Sequence, residues 1–152
     1  MPFRLSSPVF IDGGHIPATY SCEGEDVSPP LAWSGAPAGT ESFVLLLDDP
    51  DAPGGTWHHW AVYNIPPSAD HLEREFPPDG PYPQAINDFG KPGYGGPCPP
   101  KGGGFHHYRF RLLALGVPAL GLPANVTCRA VETAATAHKL AKAEIIGVFA
   151  RD

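Results

Sequence analysis

A half-buried β-strand is predicted for the stretch HHYRFRLLAL, residues 106–115. Its side chains alternate between an apolar set and a polar set, which are Tyr108, Phe110 and Leu112 and then His107, Arg109 and Arg111. Successive residues of a strand point to opposite faces of a sheet, so a period of two indicates one buried face and one polar face. The stretch therefore indicates a sheet that covers a core.

Two further stretches are predicted to be strands. Residues 42–47, SFVLLL, are continuously apolar, which is typical of a central strand covered on both faces. Residues 60–65, WAVYNI, are rich in aromatic and β-branched side chains and end at a pair of prolines. Turn residues such as Pro and Gly are scattered between all of these stretches. Short strands with frequent turns predict an all-β sandwich or barrel with one or two peripheral helices.

Helical spacing is found near the carboxyl end of the chain. The positions that recur at this spacing are Val131, Ala134, Ala135, His138, Ala141 and Ile145. Thr127 is suited to be the N-cap of this helix, and Gly147 is suited to end it. Residues 68–75 are a candidate for a second, short helix, because Ser68 can cap it and Asp70 suits its first turn.

The composition indicates a globular chain with one core. Of the 152 residues, 42% are apolar, and the chain holds 3 Trp, 5 Tyr and 8 Phe. A disordered chain lacks so much buriable surface, although Gly (18) and Pro (20) are abundant. We expect a single domain over residues 1–152, since this length matches one core. The net charge of −6 argues against nucleic acid or an anionic membrane surface as the main partner.

The sequence predicts a cytoplasmic protein with reduced cysteines. No apolar run approaches the roughly 18 residues of a membrane span, and residues 1–10 hold no apolar signal segment. An odd and low cysteine count, at Cys22, Cys98 and Cys128, predicts free thiols in a reducing compartment. A Cys22–Cys98 bridge or a reactive thiol is the alternative. No C-x-x-C spacing occurs, so no structural zinc site is expected.

Acids and histidines lie at the two ends of a stiff loop between predicted strands. The stretch DDPDAPGGTWHHW, residues 48–60, has three carboxylates after one strand and two histidines before the next. Its prolines fix their own φ angles and restrict their neighbours, which makes the loop preorganised. If strand geometry already holds at this point, Trp57 and His59 share one face, and His58 lies on the other.

A second loop, GYGGPCPPKGGGF at residues 93–105, leads directly into the alternating strand. Its glycines allow backbone N–H groups to approach an anion closely. Strand geometry places His106 and Tyr108 on one face and turns His107 away. The side chains expected to converge on one pocket are those of Asp49, His59, His106 and Tyr108.

Several kinds of site are compatible with these residue types. An anion site would use imidazoles and glycine N–H groups, with Asp49 orienting a histidine. A metal site would use two histidines and carboxylates, but the side chains of adjacent histidines diverge on a strand. A hydrolase would use an Asp beside His, but the chain has no G-x-S-x-G nucleophile elbow. In a fourth interpretation these polar residues only satisfy loop backbone at strand ends.

Both loops resemble the signatures of the phosphatidylethanolamine-binding protein family, also called the Raf kinase inhibitor-like family. Residues 49–59 resemble the first signature. Residues 99–108 resemble the second, with His107 where the family usually has Arg. Further matches at residues 7–33 and 87–100 are similar to the bacterial YbhB/YbcL branch, so that the resemblance covers nearly the whole chain.

The resemblance implies an antiparallel, Greek-key β-sandwich with a small anion pocket near one end. It implies phosphate or phosphorylethanolamine-type head groups as ligands, no enzymatic turnover, no metal or cofactor, and often a homodimer. Some members inhibit kinases or serine proteases. The residues that the resemblance assigns to the pocket are Asp49, Trp57, His59, Gly96, Pro100, His106 and Tyr108.

We therefore predict an anion-binding protein that is not an enzyme. His59 and His106 are expected to donate hydrogen bonds to the anion, while Asp49 fixes one imidazole and the Tyr108 hydroxyl adds a donor. The alternative is a protein–protein inhibitory module, directed at a kinase or protease, without a physiological small ligand. A metal-dependent or Asp/His hydrolase is the remaining alternative.

Overall fold

Two antiparallel β-sheets and one α-helix make up the computed structural model, which describes residues 2–152. The elements in chain order are β1 (Arg4–Ser6), β2 (Leu31–Ser34), β3 (Ser42–Asp49), β4 (Trp57–Ile65), β5 (His71–Leu72), β6 (His106–Leu115), α1 (Cys128–Thr136) and β7 (Lys139–Phe149). The small sheet has the order β1-β2-β5 and the large sheet the order β4-β3-β6-β7. The predicted antiparallel all-β fold with peripheral helix is confirmed.

The central strand β3 separates two layers of core. All eight of its residues are buried. Leu45 and Leu47 pack into the core shared with the small sheet, whereas Val44 and Leu46 pack into the core that includes α1. Each fully buried side chain of this kind stabilises the fold by roughly 1.5–3 kcal/mol. The prediction that residues 42–47 form a strand covered on both faces is confirmed.

Strand β6 has the bounds and the alternation that the sequence predicts. Tyr108, Phe110 and Leu112 are fully buried in the core between the sheets. Arg109 and Arg111 lie on the opposite face, where they bind a carboxylate of β3. Because β6 pairs with β3 on one side and β7 on the other, its first residues are held firmly at one end of the large sheet.

A β-bulge interrupts the pairing of β3 with β4. Leu47 pairs with Trp60 and Asp48 pairs with His58, which leaves His59 without a partner on β3. The extra residue breaks the alternation of side chains, so that His59 and Trp60 both lie on the side of the small sheet. Bulges commonly re-aim a side chain next to a functional site.

The helices differ in extent from those predicted. The N-cap is correct, since the Thr127 hydroxyl accepts a hydrogen bond from the Ala130 N–H at 3.2 Å. The predicted continuation to Gly147 is wrong: α1 ends at Thr136, and the following residues form β7, whose pairing along β6 overrides their helical spacing. The second helix predicted over residues 68–75 is also wrong, because this segment holds β5, which pairs with β2.

None of the helices within residues 2–152 has the length and apolar character that a membrane span requires.

Candidate functional site

A cavity of about 250 Å³ lies at the end of the large sheet where β3 ends and where β4 and β6 begin. Of the residues that the sequence assigns to the pocket, those that line this cavity are Asp49, Trp57, His59, Pro100, His106 and Tyr108. Its wall is completed by Ala52, Pro53, Phe89, Cys98 and Pro99. This volume is close to the lower end of the range for small-molecule sites, roughly 300–1,000 Å³, and therefore suits a small ligand.

Gly96 is the assigned residue that does not line the cavity. Its N–H donates to Asp26 Oδ1 at 2.8 Å. A Cβ atom at this position would clash with the Asp26 carboxylate and with the Tyr20 carbonyl oxygen. The absence of a side chain at Gly96 lets its loop approach the loop of Tyr20 and Asp26 closely.

Substitution of Gly96 by alanine is expected to lower the free energy of unfolding by about 2 kcal/mol, because the new methyl group overpacks a contact between backbone and carboxylate. Urea denaturation followed by tryptophan fluorescence measures this change. Gly121→Ala is the matched control, since no atom of the described part of the chain lies within 4 Å of a Cβ at that position. A Gly96→Ala protein as stable as the wild type would show that the loops can separate without cost.

His106 and Asp49 form a buried pair inside the cavity. The Nδ1–H of His106 donates to Asp49 Oδ2 at 2.6 Å, and the relative exposures of the two residues are 7% and 3%. The other oxygen of Asp49 accepts the backbone N–H of Asp51 at 2.8 Å. Each carboxylate oxygen thus accepts one hydrogen bond, and His106 is fixed through Nδ1, which leaves its Nε2 for a ligand.

His59, which also lines the cavity, is held by the backbone of Gly95. Its Nδ1–H donates to the carbonyl oxygen of Gly95 at 2.6 Å. The ring meets Phe89 and Tyr108 edge to face, with centroids 5.4 Å apart in each case. Burial lowers the pKa of His59, and this effect outweighs the hydrogen bond to Gly95 and the charge of Asp49, which both act to raise it. The folded protein therefore favours the neutral ring.

Tyr108 contributes a buried hydroxyl to the cavity. The residue is fully buried, and its Oη has no hydrogen-bond partner among residues 2–152. Burial and then the negative charge of Asp49 raise the pKa of Tyr108 well above its usual value. The phenol therefore stays protonated at neutral pH and can act as a donor.

An aromatic pair flanks the cavity opening. Trp57 is 37% exposed and Phe89 is 42% exposed, and their rings lie edge to face at 5.5 Å. Sequence reasoning did not assign Phe89 to the site. Asn87 positions it, because Asn87 Oδ1 accepts the backbone N–H of Phe89 at 2.9 Å. A sequence signal for Phe89 is the turn Asn-Asp-Phe-Gly at residues 87–90, which resembles the family's sequence. Phe89 was not assigned because the titratable residue of this turn does not line the cavity.

A disulfide joins Cys22 to Cys98, and Cys98 lines the cavity. The prediction of free thiols is therefore wrong for these two residues and correct for Cys128, which is buried and unpaired. Burial raises the pKa of the Cys128 thiol to about 12 and keeps it unreactive. A cysteine count cannot show which loops meet, whereas the fold brings the Cα atoms of Cys22 and Cys98 to 5.4 Å.

The opposite face of the same strands carries an ionic network. Asp48 accepts hydrogen bonds from Arg109 at 2.7 Å and from Arg111 at 2.6 Å. Glu132 of α1 lies 3.1 Å from Arg111, and His58 Nδ1 lies 3.9 Å from Glu132. Potential metal-ligand atoms of Asp48, His58 and Glu132 lie within 4.8 Å of one another. The two guanidinium groups already neutralise these carboxylates, so the cluster is better described as ion pairs.

His107 points away from the cavity, as strand geometry predicts. It is exposed, and its Nδ1 lies 2.7 Å from Asp51 Oδ2, which also accepts the backbone N–H of His107. These two hydrogen bonds lower the pKa of the Asp51 carboxyl group. The departure from the family signature at residue 107 thus affects a surface contact.

The family model described as phosphatidylethanolamine-binding protein matches residues 6–150. The chain belongs to this family. A UPF0098 protein of Aquifex aeolicus is 49% identical over 98% of this chain and 89% of its own length. A Mycobacterium tuberculosis protein, LppC, whose name includes the word lipoprotein, is 43% identical over 97% of this chain and 72% of its own length. These names give no ligand.

The fold is shared with a solved member of the family. The crystal structure of Escherichia coli YbcL, described as a new member of the mammalian PEBP family, superposes with a TM-score of 0.95 at 37% identity. The match covers 100% of both chains. The resemblance to the bacterial YbhB/YbcL branch that the sequence predicts is therefore confirmed for YbcL.

Proposed function

We propose that this protein binds a small oxyanion, such as phosphate or a phosphorylated head group, in the cavity at the ends of β3, β4 and β6. The supporting observation is the buried Tyr108 hydroxyl, which has no hydrogen-bond partner among residues 2–152 and lies in the same cavity as the His106–Asp49 pair. A buried hydroxyl without a partner costs roughly 1–3 kcal/mol, and an oxyanion would supply the missing acceptor. The family's name, phosphatidylethanolamine-binding protein, supports a ligand of this chemistry.

His106 is proposed to be the main anchor of the anion. A protonated imidazole that donates from Nδ1 to Asp49 presents a second, charge-assisted donor at Nε2. The charge of Asp49 is then offset by its partner at 2.6 Å, so that the carboxylate does not repel the anion. Tyr108 adds a neutral donor that does not ionise at neutral pH. Trp57 and Phe89 would pack against the organic part of a larger ligand.

The proposal is binding without turnover. Asp49 Oδ1 accepts the N–H of Asp51 and Oδ2 accepts the Nδ1–H of His106, so the carboxylate orients the loop and the imidazole. The chain has no G-x-S-x-G nucleophile elbow, which favours a binding site over the hydrolase considered as an alternative.

The cellular compartment, the protein partners and the oligomeric state of this protein are predictions. The sequence predicts a cytoplasmic protein, but disulfides form and persist mainly in oxidising compartments, so the Cys22–Cys98 bridge favours a compartment outside the cytoplasm. Modulation of a kinase or protease and formation of a homodimer follow from the family resemblance, and we keep them as expectations.

The affinity for inorganic phosphate is expected to fall by about 10-fold between about pH 5.5 and about pH 8.5. A histidine side chain in water loses its proton near pH 6.5, so charge-assisted donation from an imidazole of the cavity to the anion weakens above that pH. Isothermal titration calorimetry at constant ionic strength measures this profile, and far-ultraviolet circular dichroism at each pH controls for folding. A flat profile would show that a protonated imidazole is not the anchor. No binding of phosphate at millimolar concentrations would overturn the proposed function and favour the protein–protein inhibitory module.

A further inference from the structure

We propose that a second cleft, on the other face of the large sheet from the cavity described above, binds a polyhydroxylated carboxylate of the sugar-acid class. The cleft has a volume of about 460 Å³ and lies between α1 and the strand ends that carry Asp48, His58 and Arg109. Each residue that lines it is polar or charged, whereas the cavity has aromatic and proline walls. The inference does not depend on the proposed function, because the two sites share no lining residue within residues 2–152.

A buried histidine without a side-chain partner points to a ligand in the cleft. His58 lines the cleft and is 6% exposed. Its N–H donates to Asp88 Oδ2 at 2.7 Å, and its carbonyl oxygen accepts the N–H of Asp88 at 2.9 Å. Neither ring nitrogen makes a hydrogen bond within residues 2–152, and Oε1 of Glu132 lies 3.9 Å from Nδ1, beyond hydrogen-bond distance. Side chains as buried as this one normally have a polar partner, which a ligand would supply here.

Two guanidinium groups make the cleft suitable for a carboxylate. Arg109 donates to both oxygens of Asp48, from Nε at 2.7 Å and from Nη2 at 3.1 Å, so its Nη1 keeps two donors for a ligand. Arg111 donates to Asp48 at 2.6 Å and lies 3.1 Å from Glu132, so both acids of the lining have cationic partners. Arg129 is exposed and forms no ion pair within residues 2–152. Its charge is available to a carboxylate, which guanidinium groups bind with paired hydrogen bonds.

Three threonines favour a hydroxylated ligand over a plain carboxylate. The hydroxyls of Thr133 and Thr136 donate to carbonyl oxygens of α1, at 3.1 Å and 2.8 Å, so toward a ligand they can only accept. The hydroxyl of Thr56 makes no hydrogen bond within residues 2–152 and can donate as well as accept. A ligand that has one carboxylate and several hydroxyl groups meets both kinds of partner, and this is the chemistry of a sugar acid.

The test is a titration followed by NMR of the backbone amide signals, with three probes of matched chain length. Gluconate has the carboxylate and the hydroxyls, sorbitol lacks the carboxylate, and hexanoate lacks the hydroxyls. We expect gluconate to bind with a Kd of about 1 mM, and the other two probes to bind at least about 10-fold more weakly. The signals that shift should be those of cleft residues such as His58 and Thr133, while those of His106 and Tyr108 in the cavity stay unchanged.

Two substitutions test the assigned residues. Arg129→Ala is expected to weaken gluconate binding by about 10-fold, because a charge-assisted hydrogen bond is lost. Arg4→Ala is the matched control, since Arg4 is also exposed but lies on β1, and its affinity should stay within about 2-fold of the wild type. His58→Phe removes both ring nitrogens at similar volume and should cause a loss similar to that of Arg129→Ala. If His58→Phe fails to fold, the exposed Arg129 decides the matter alone.

The results that would overturn the proposal differ from those that test the proposed function. No saturable shift up to about 50 mM gluconate, or equal binding of gluconate and hexanoate, would overturn it. Shifts confined to the cavity, or an unchanged affinity of Arg129→Ala, would also overturn it. If Zn²⁺ shifts the signal of His58 and gluconate does not, Asp48, His58 and Glu132 form a metal site instead. Phosphate binding in the cavity is measured separately, and neither result affects the other.

Discussion

Replacing His106 by alanine is expected to weaken phosphate binding by about 100-fold, which corresponds to about 2.7 kcal/mol. The variant loses the charge-assisted donor at Nε2. It also leaves Asp49 without its partner at 2.6 Å, so that a buried carboxylate faces the bound anion. Repulsion between these two negative groups adds to the loss of the hydrogen bond. Calorimetric titration with inorganic phosphate at about pH 6 measures the change.

A second substitution separates the two contributions to this loss. His106→Ala combined with Asp49→Asn removes the repulsion, so the double variant should recover about 5-fold of the lost affinity. His107→Ala is the control, because it removes the neighbouring imidazole, which is exposed and bonded to Asp51. Its affinity should stay within about 2-fold of the wild type. Equal losses in the His106 and His107 variants would mean that general surface charge, not the cavity, attracts phosphate.

Replacing both Cys22 and Cys98 by serine is expected to lower the free energy of unfolding by about 4 kcal/mol. The bridge joins residues 76 positions apart, and its removal frees a long loop in the unfolded chain. Guanidinium denaturation with and without a reducing agent measures the effect. The wild type should lose stability when reduced, whereas the double-serine variant should be insensitive. Cys128→Ala controls for the loss of a thiol and should keep the response to reduction.

The phosphate affinity of the folded double-serine variant should stay within about 3-fold of the wild type. Three hydrogen bonds join the same two loops without the bridge. They run from the Cys22 N–H to the Pro97 carbonyl oxygen, from the Gly96 N–H to Asp26 and from the Tyr94 hydroxyl to the Tyr20 carbonyl oxygen. An affinity loss as large as that of His106→Ala would show instead that the bridge itself shapes the cavity.

Local patterns predict those parts of the molecule in which neighbouring residues determine the structure. The alternation in residues 106–115 gives both the bounds of β6 and the faces of its side chains, because the strand has one apolar and one polar side. The same alternation places His106 and Tyr108 together in the cavity. The cap at Thr127 is likewise a local interaction and was predicted correctly.

Features that depend on distant parts of the chain could not be predicted in this way. The helical spacing of residues 131–145 continues through Ala141 and Ile145, but pairing with β6 makes residues 139–149 a strand. The Cys22–Cys98 bridge requires two loops to meet whose separation in sequence gives no sign of contact. The orientation of the His59 ring depends on the carbonyl group of Gly95, and residue types alone do not reveal which backbone atom a ring will face.

The bulge in β4 decides which of two consecutive imidazoles meets the ligand. With regular pairing through this point, His58 would share the face of Trp60, and His59 would lie beneath α1 among the guanidinium groups. The extra residue of the bulge, His59, thus lies on the side of the sheet that carries the cavity and Asp49, while the ion pairs of Asp48 lie on the other side. The two sides can therefore diversify independently: evolution can change the chemistry of the cavity without dismantling the charges that anchor the helix.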